Sequence, residues 1–280
     1  MAKRGKIGTN RPRTGLTVLL AALSLGILFP LFLSFVVAVK NPEEMSQGIL
    51  SLPSALHWDN FARAMEKTGF LHALVNSLAA TTVATLLTIA TNSFVAYAIA
   101  RNWKSRFFRF LYYYFLSAMF IPFPVIMLPI VKQMAALGFD NIFGLMFLYV
   151  IYGLPFNTFV YVGYLRGVPP DMEEAALIDG AGTWKAFRKI VFPIMLPINA
   201  TVGILTALWV WNDFMLPLVI LSDKRQYTLP LVQYVFQTQF SADYNLAFAS
   251  YFLVMIPIII VYLFAQKWII RGVLSGSVKG

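Results

Sequence analysis

Six long stretches of this chain carry no Asp, Glu, Lys or Arg: 15–39, 70–100, 110–131, 141–165, 190–212 and 244–266. Each reaches about the 20 residues a helix needs to cross a bilayer core of roughly 30 Å. Strands of a membrane barrel alternate apolar and polar residues over about ten positions, and these runs do not. In hydrocarbon every backbone polar group must be satisfied within the segment, so such runs form helices. The pattern therefore predicts an all-α, polytopic membrane protein with six transmembrane helices. The first run is longer than the roughly 7–15 residues of a signal-peptide core and holds Pro30, so it reads as a retained span.

The runs divide the chain into a basic tail at 1–14, a first span at 15–39, an external segment at 40–70, a core at 71–267 with five spans, and a tail at 268–280. Pro and Ser over 40–56 predict loop. "HWDNFARAMEKTGF" then predicts a short amphipathic helix, with Trp58, Phe61 and Met65 at helical spacing and Gly69 near its end. A helix on the membrane surface and a contact to an external protein both fit it. In the third run Pro122, Pro124 and Pro129 remove helix hydrogen bonds and predict a kink or a stop. Gly153 and Pro155 predict another break in the fourth run, and Pro169 and Pro170 end it.

Composition agrees with a lipid environment. Hydrophobic residues make up 59% and charged residues 12%, against about 25% charged in soluble domains. Mean hydropathy is +0.71. With the amino terminus placed inside, sixteen of the 22 Lys and Arg fall on the inner segments and six on the outer ones. The positive-inside bias therefore puts both termini in the cytoplasm. A net charge of +10 lining one membrane face suits anionic headgroups and calls for no nucleic acid. There is no Cys, which excludes disulfides and Cys-ligated metals. No G-x-x-x-x-G-K-[ST] loop, G-x-S-x-G elbow or His/carboxylate zinc pattern occurs either. The histidines, His57 and His72, both fall near the outer face. No catalysis by this chain, no metal and no directly bound cofactor are expected.

One charged hairpin, 169–197, interrupts the apolar runs. Asp171 reads as an N-cap with Glu174 three residues on, and Glu173 and Glu174 sit in the first turn, where the helix dipole favours negative charge. Ala175 and Ala176 let another surface approach the backbone closely. Gly180 and Gly182 stop the helix and allow a reversal. A second amphipathic helix follows, with Trp184, Phe187 and Val191 on one side and Lys185, Arg188 and Lys189 on the other. Pro193 and Pro197 lead into the fifth span. A docking surface and an amphipathic loop lying on headgroups both fit these residues.

The spacing Glu174-Ala175-Ala176, three residues, Gly180, nine residues, Ile190, one residue, Phe192-Pro193 resembles the EAA loop of binding-protein-dependent ABC transporter permeases. Phe192 stands where that pattern has Leu. "TNSFVAYAIAR" at 91–101, "WNDFMLPLVI" at 211–220 and "SGSVKG" at 275–280 are similar to the sugar branch, in particular to the second, shorter permease of maltose-type and multiple-sugar importers. The first 70 residues match only in layout. The resemblance implies a type I importer permease in a bacterial or archaeal cell (inner) membrane. It would be paired with a homologous second permease as a heterodimer, with two ATPase subunits that hold ATP and Mg, and with an extracytoplasmic sugar-binding protein. It further implies that Asp171, Glu173, Glu174, Ala175, Ala176, Asp179 and Gly180 couple to the ATPase, Glu174 as the charged anchor. By the same resemblance, 222–243 reaches the binding protein and 275–280 the ATPase interface.

Substrate contacts are harder to read. Asp213 interrupts the fifth span, and an ionisable residue there is a functional candidate; a wetted helix end beside Pro217 also fits. Trp209, Trp211 and Asn212 could stack on and hydrogen-bond a carbohydrate, or anchor the span at the interface. Asn76 is a further polar candidate in the second span. Rival readings are a permease for another solute and a stand-alone carrier or channel.

Overall fold

The structure, a computed structural model, describes residues 14–46, 48–239 and 243–277, with the side chains of 235–239, 261, 262, 264, 265 and 267–277 outside that description. Residues 1–13 of the predicted basic tail and the last three residues also lie outside it. Every described element is helical, as the pattern predicts. The chain divides into two units, 1–64 with 240–253, and 65–239 with 254–280.

In the smaller unit, α1 (Thr14–Ala38) is apolar and exposed from Thr14 to Phe32, and buried only at Val36, Val37 and Ala38. The segment expected to be loop is internally tied. A five-residue helix, α2 (Pro42–Ser46), starts on a reciprocal pair: Glu44 N donates to Asn41 Oδ1 at 2.7 Å and Asn41 N donates to Glu44 Oε2 at 3.1 Å. This is capping-box geometry, and "NPEE" carries its signature. Lys40 is fully buried, its ammonium donating to the carbonyls of Gly48 (3.0 Å) and Ile49 (3.2 Å) and to Ser51 Oγ (2.9 Å). The predicted amphipathic helix is α3 (Asp59–Thr68). Its buried Asn60 donates to the carbonyls of Ala38 (3.0 Å) and Lys40 (2.8 Å), satisfying acceptors left open at the end of α1.

The larger unit is built on three packed helices, α4 (Phe70–Arg101), α7 (Ile142–Leu165) and α11 (Leu196–Asn212). The buried face of α4 is a seam of small residues three or four apart, Ala73, Ser77, Ala80, Ala84, Thr88, Asn92 and Ala96. Small side chains let membrane helices approach closely, which lipid alone would not drive. The third run is two helices, α5 (Arg106–Ala118) and α6 (Phe123–Ala136), set at 104° around Pro122 and Pro124. In contrast, α7 passes through Pro155 without a break, contrary to expectation. One proline costs a helix a single donor, and packing neighbours compensate for that in a membrane bundle.

After the hairpin elements α8 (Asp171–Ile178), α9 (Thr183–Ala186) and α10 (Phe192–Ile194), the chain bends by 77° into α11. It continues through α12 (Met215–Ile220), α13 (Leu229–Gln239) and α14 (Tyr244–Ser277). Among the described residues three helices, α1, α4 and α7, are long and apolar enough to cross a membrane, and the two bent pairs qualify as broken spans. The sixth run lies on α14, which is apolar over Tyr244–Ile260.

Two apolar clusters hold the three central helices. One gathers Met134, Leu145, Tyr149, Val210 and Leu216. The other gathers Tyr97, Ile99, Tyr161, Leu165, Phe187 and Met195, next to the hairpin. Along α4 and α7 several buried residues between them are polar: Thr88, Asn92 and Ser93, then Asn157 and Thr158.

Candidate functional site

The hairpin opens at Pro170, whose carbonyl accepts from the backbone N–H groups of Glu173 (2.8 Å) and Glu174 (3.0 Å). Asp171 is the first helical residue, not the cap, and the expected Asp171–Glu174 capping box does not form. With Pro170 itself in helical conformation, the start of the helix moves one residue earlier. The three acids Asp171, Glu173 and Glu174 still occupy the first turn of α8. The far end closes as expected. Gly180 has φ +81°, Ala181 N donates to Ala176 O at 2.9 Å and Gly180 N to Leu177 O at 3.1 Å. That pair of bonds is a Schellman stop, which a left-handed glycine permits.

The second arm is a single α turn, α9, followed by a π-helical stretch, Phe187–Val191. Phe187 and Val191 are both buried, on one side as the pattern predicts. Phe187 packs against Phe94 (5.2 Å between centroids) and Tyr97 (5.0 Å) on α4, and Trp184 meets Phe94 edge-on at 5.3 Å. Lys185, Arg188 and Lys189 are exposed, as the pattern predicts.

The two neighbouring glutamates part company. Glu174 is exposed with Asp171, Ala175, Asp179 and Gly180, while Ala176 is half-buried. Glu173 turns into the protein, only 5% exposed, and pairs with Arg101 at the end of α4. Met172, Leu177 and Ile178 complete an outer face that is apolar as well as acidic.

The five substrate-path candidates do not converge. Asn76 donates to the carbonyls of Arg225 (2.8 Å) and Tyr227 (3.0 Å), fixing the segment that leads to α13. Asn212 bonds back to Leu208 O within its own helix at 2.7 Å. Asp213, Trp209 and Tyr149 do come together. Tyr149 donates its hydroxyl to Asp213 Oδ2 at 3.0 Å, and its ring meets Trp209 edge-on at 5.3 Å. Asp213 also accepts from the N–H groups of Met215 (3.0 Å) and Leu216 (3.4 Å), so its carboxylate caps α12. Trp211 is buried, with its indole N–H unpartnered among the described residues. The sequence reading overlooked Tyr149 and Arg101. Tyr149 lies within an apolar run, and Arg101 counted only as one more inner-face charge.

The sequence profile of the family described as "Binding-protein-dependent transport system inner membrane component" matches residues 92–275. The "Multiple sugar-binding transport system permease protein MsmG" of Streptococcus mutans is 41% identical, covering 94% of this chain and 95% of that protein. The "Probable starch degradation products transport system permease protein AmyC" of Thermoanaerobacterium thermosulfurigenes is 33% identical, covering 94% and 96%. Among solved structures, a chain of a bacterial ABC transporter involved in the import of the acidic polysaccharide alginate shares the fold. The TM-score is 0.77 at 24% identity, covering 93% of this chain and 99% of that one. The matched residues run from the buried seam of α4 through the hairpin into α14, and the chain belongs to the family of binding-protein-dependent transport system inner membrane components, as a multi-pass membrane transport subunit.

Proposed function

We propose that this chain is the shorter permease subunit of an ATP-driven carbohydrate importer. The observation that carries this reading is the outward face of α8. Glu174 and Ala175 are exposed on a helix whose far end is closed by a left-handed glycine and whose back is held by the chain itself. A short, firmly mounted helix with small residues and outward carboxylates, Asp171 and Glu174, suits insertion into a cleft of another protein. Its relatives carry sugar-transport names, which supports the substrate class.

In this reading six spans cross a bacterial or archaeal cell membrane, with α14 as the sixth and both termini in the cytoplasm. A homologous second permease completes the pathway. Two ATPase subunits hold ATP and Mg, grip α8 through Glu174, Ala175 and Ala176, and move it as they close. An external binding protein delivers the sugar at the opposite face, where the segment after α12 meets it. Asp213 and the exposed Trp209 are the residues we assign to a carbohydrate hydroxyl, with the buried Tyr149 holding the carboxylate in place.

The test is reconstitution of the whole complex in liposomes, with ATP hydrolysis followed while a panel of mono-, di- and oligosaccharides is offered with the binding protein. At least one should stimulate hydrolysis and accumulate inside. If none stimulates while an unrelated solute does, the carbohydrate reading fails.

A further inference from the structure

One side chain fastens the hairpin to two of the central helices. Arg101 Nε donates to Glu173 Oε1 at 2.9 Å, and Nη2 reaches the same oxygen. Nη1 donates to the carbonyls of Leu165 (3.1 Å) and Val168 (3.2 Å), where α7 ends. Leu165 O also accepts from Val168 N at 3.1 Å, and the negative end of a helix dipole favours a cation. Arg101 thus joins the end of α4, the end of α7 and the first turn of α8 through directional, charge-assisted bonds. Both members of the ion pair are largely shielded from solvent, with side-chain exposures of 18% and 7%. A planar guanidinium can serve a carboxylate and two carbonyls at once, which a lysine ammonium does less well.

Other attachments of the hairpin include one hydrogen bond from α7, where Tyr164 donates its hydroxyl to Ile194 O at 3.0 Å, and a set of ring contacts. Phe187 and Trp184 sit on Phe94 and Tyr97 through ring contacts. Apolar packing of this sort keeps two surfaces together but allows them to slide. Between α7 and α8 the covalent link holds Gly167, Pro169 and Pro170 in five residues. The arginine reaches α4, α7 and α8 at once, and Tyr97 of α4 adds a second side-chain hydrogen bond to Glu173.

Resting on the proposed function, we infer that Arg101 is a positioning residue that transmits the displacement of α8 to α4 and α7 through its ion pair with Glu173. With the pair intact, hairpin and central helices move as one body, and ATPase closure shifts the pathway. Without it, the hairpin rocks on its aromatic seat and hydrolysis proceeds with little transport.

The experiment uses the whole complex in liposomes, with the strongest stimulator among maltose, melibiose and raffinose as probe. It compares wild type, Arg101→Gln, Arg101→Lys, Glu173→Gln and the double Arg101→Gln/Glu173→Gln. Two quantities are read: the yield of assembled complex and the ATP hydrolysed per sugar imported. Arg101→Gln should assemble normally and hydrolyse about ten times more ATP per sugar, within the usual range of coupling between sites. Arg101→Lys should fall between. The double variant should be no worse than Arg101→Gln, because both changes remove the same interaction. An unchanged ratio in Arg101→Gln, or effects that multiply in the double variant, would overturn the inference. Should Arg101→Gln fail to assemble, Arg101→Lys carries the test by the same ratio. Failure of both to assemble would mean a purely structural role and overturn it too. The wild-type arm separates the two levels: no sugar-stimulated hydrolysis there sinks the proposed function, whereas normal wild type with an unaltered Arg101→Gln ratio sinks this inference alone.

Discussion

Gly180 and Glu44 show how single positions carry consequences out of proportion to their size. Gly180 holds φ +81°, where a β-branched side chain costs about 1–3 kcal/mol of local strain. Nothing lies within 4 Å of where its Cβ would be, so the penalty falls on backbone geometry and not on packing. Gly180→Val should therefore insert into the membrane normally but misplace the end of α8. Sugar-stimulated ATP hydrolysis in the reconstituted complex should be lost, and undiminished transport would refute the role given to the turn. Glu44 accepts from the hydroxyl and N–H of Ser54 and from Asn41 N, and these donors, the Ser54 hydroxyl foremost, pull its carboxyl down to about 2. A carboxyl lowered on folding stabilises the folded form fully above its ordinary value of 4.5. That contribution fades as pH falls from there toward about 2. Amide exchange at Ser54, corrected for its intrinsic rate, should be steady from pH 7 to about 5 and accelerate below it; in Glu44→Gln the acid dependence should vanish.

At the scale of elements, α4 serves two masters along one face. Its middle is the small-residue seam against α7 and α11, and its ends tie down distant segments, Arg101 at the hairpin and Asn76 with Ser77 at 225–229. Ser77 Oγ accepts from the buried N–H of Leu229 at 2.8 Å, at the start of α13. Ser77→Ala leaves that N–H without its partner, a loss of about 1–3 kcal/mol. Hydrogen exchange at Leu229 and its neighbours should quicken by about ten- to a hundred-fold, with α4 itself unaffected. If exchange there stays unchanged, the segment after α12 is held by other contacts. Prolines act according to their neighbours in the same way. Pro122, itself extended, and Pro124 two residues on lie where the chain turns by 104°, whereas Pro155 sits inside α7 without interrupting it.

For the molecule as a whole, the division of labour is a claim about partners. The chain presents exposed apolar residues on the hairpin, Met172 and Ile178 among them, alongside the carboxylate of Glu174. In the proposed assembly these meet the ATPase. Purified in detergent after co-expression, the chain should bring down one second permease and two ATPase copies. Placed alone in liposomes it should move no sugar in the absence of nucleotide. Uptake by the isolated chain would point to a stand-alone carrier.

By itself, the order of residues determined what local physics can decide. Six uncharged runs read as helices in lipid, Gly180 reads as a helix stop, and the EAA-like spacing makes the hairpin the proposed place where another protein pushes. Tertiary structure decided the pairings that span great lengths of chain. Glu173 and Glu174 are adjacent and chemically alike, and about 100° of helical rotation separates their directions. Which of them faces inward depends on Arg101, 72 residues earlier. Asn76 likewise became a structural tie only because carbonyls 149 and 151 residues later come within hydrogen-bond reach. Periodicity along a chain records which face of a helix is apolar, but it holds no record of what the polar exceptions on that face will meet.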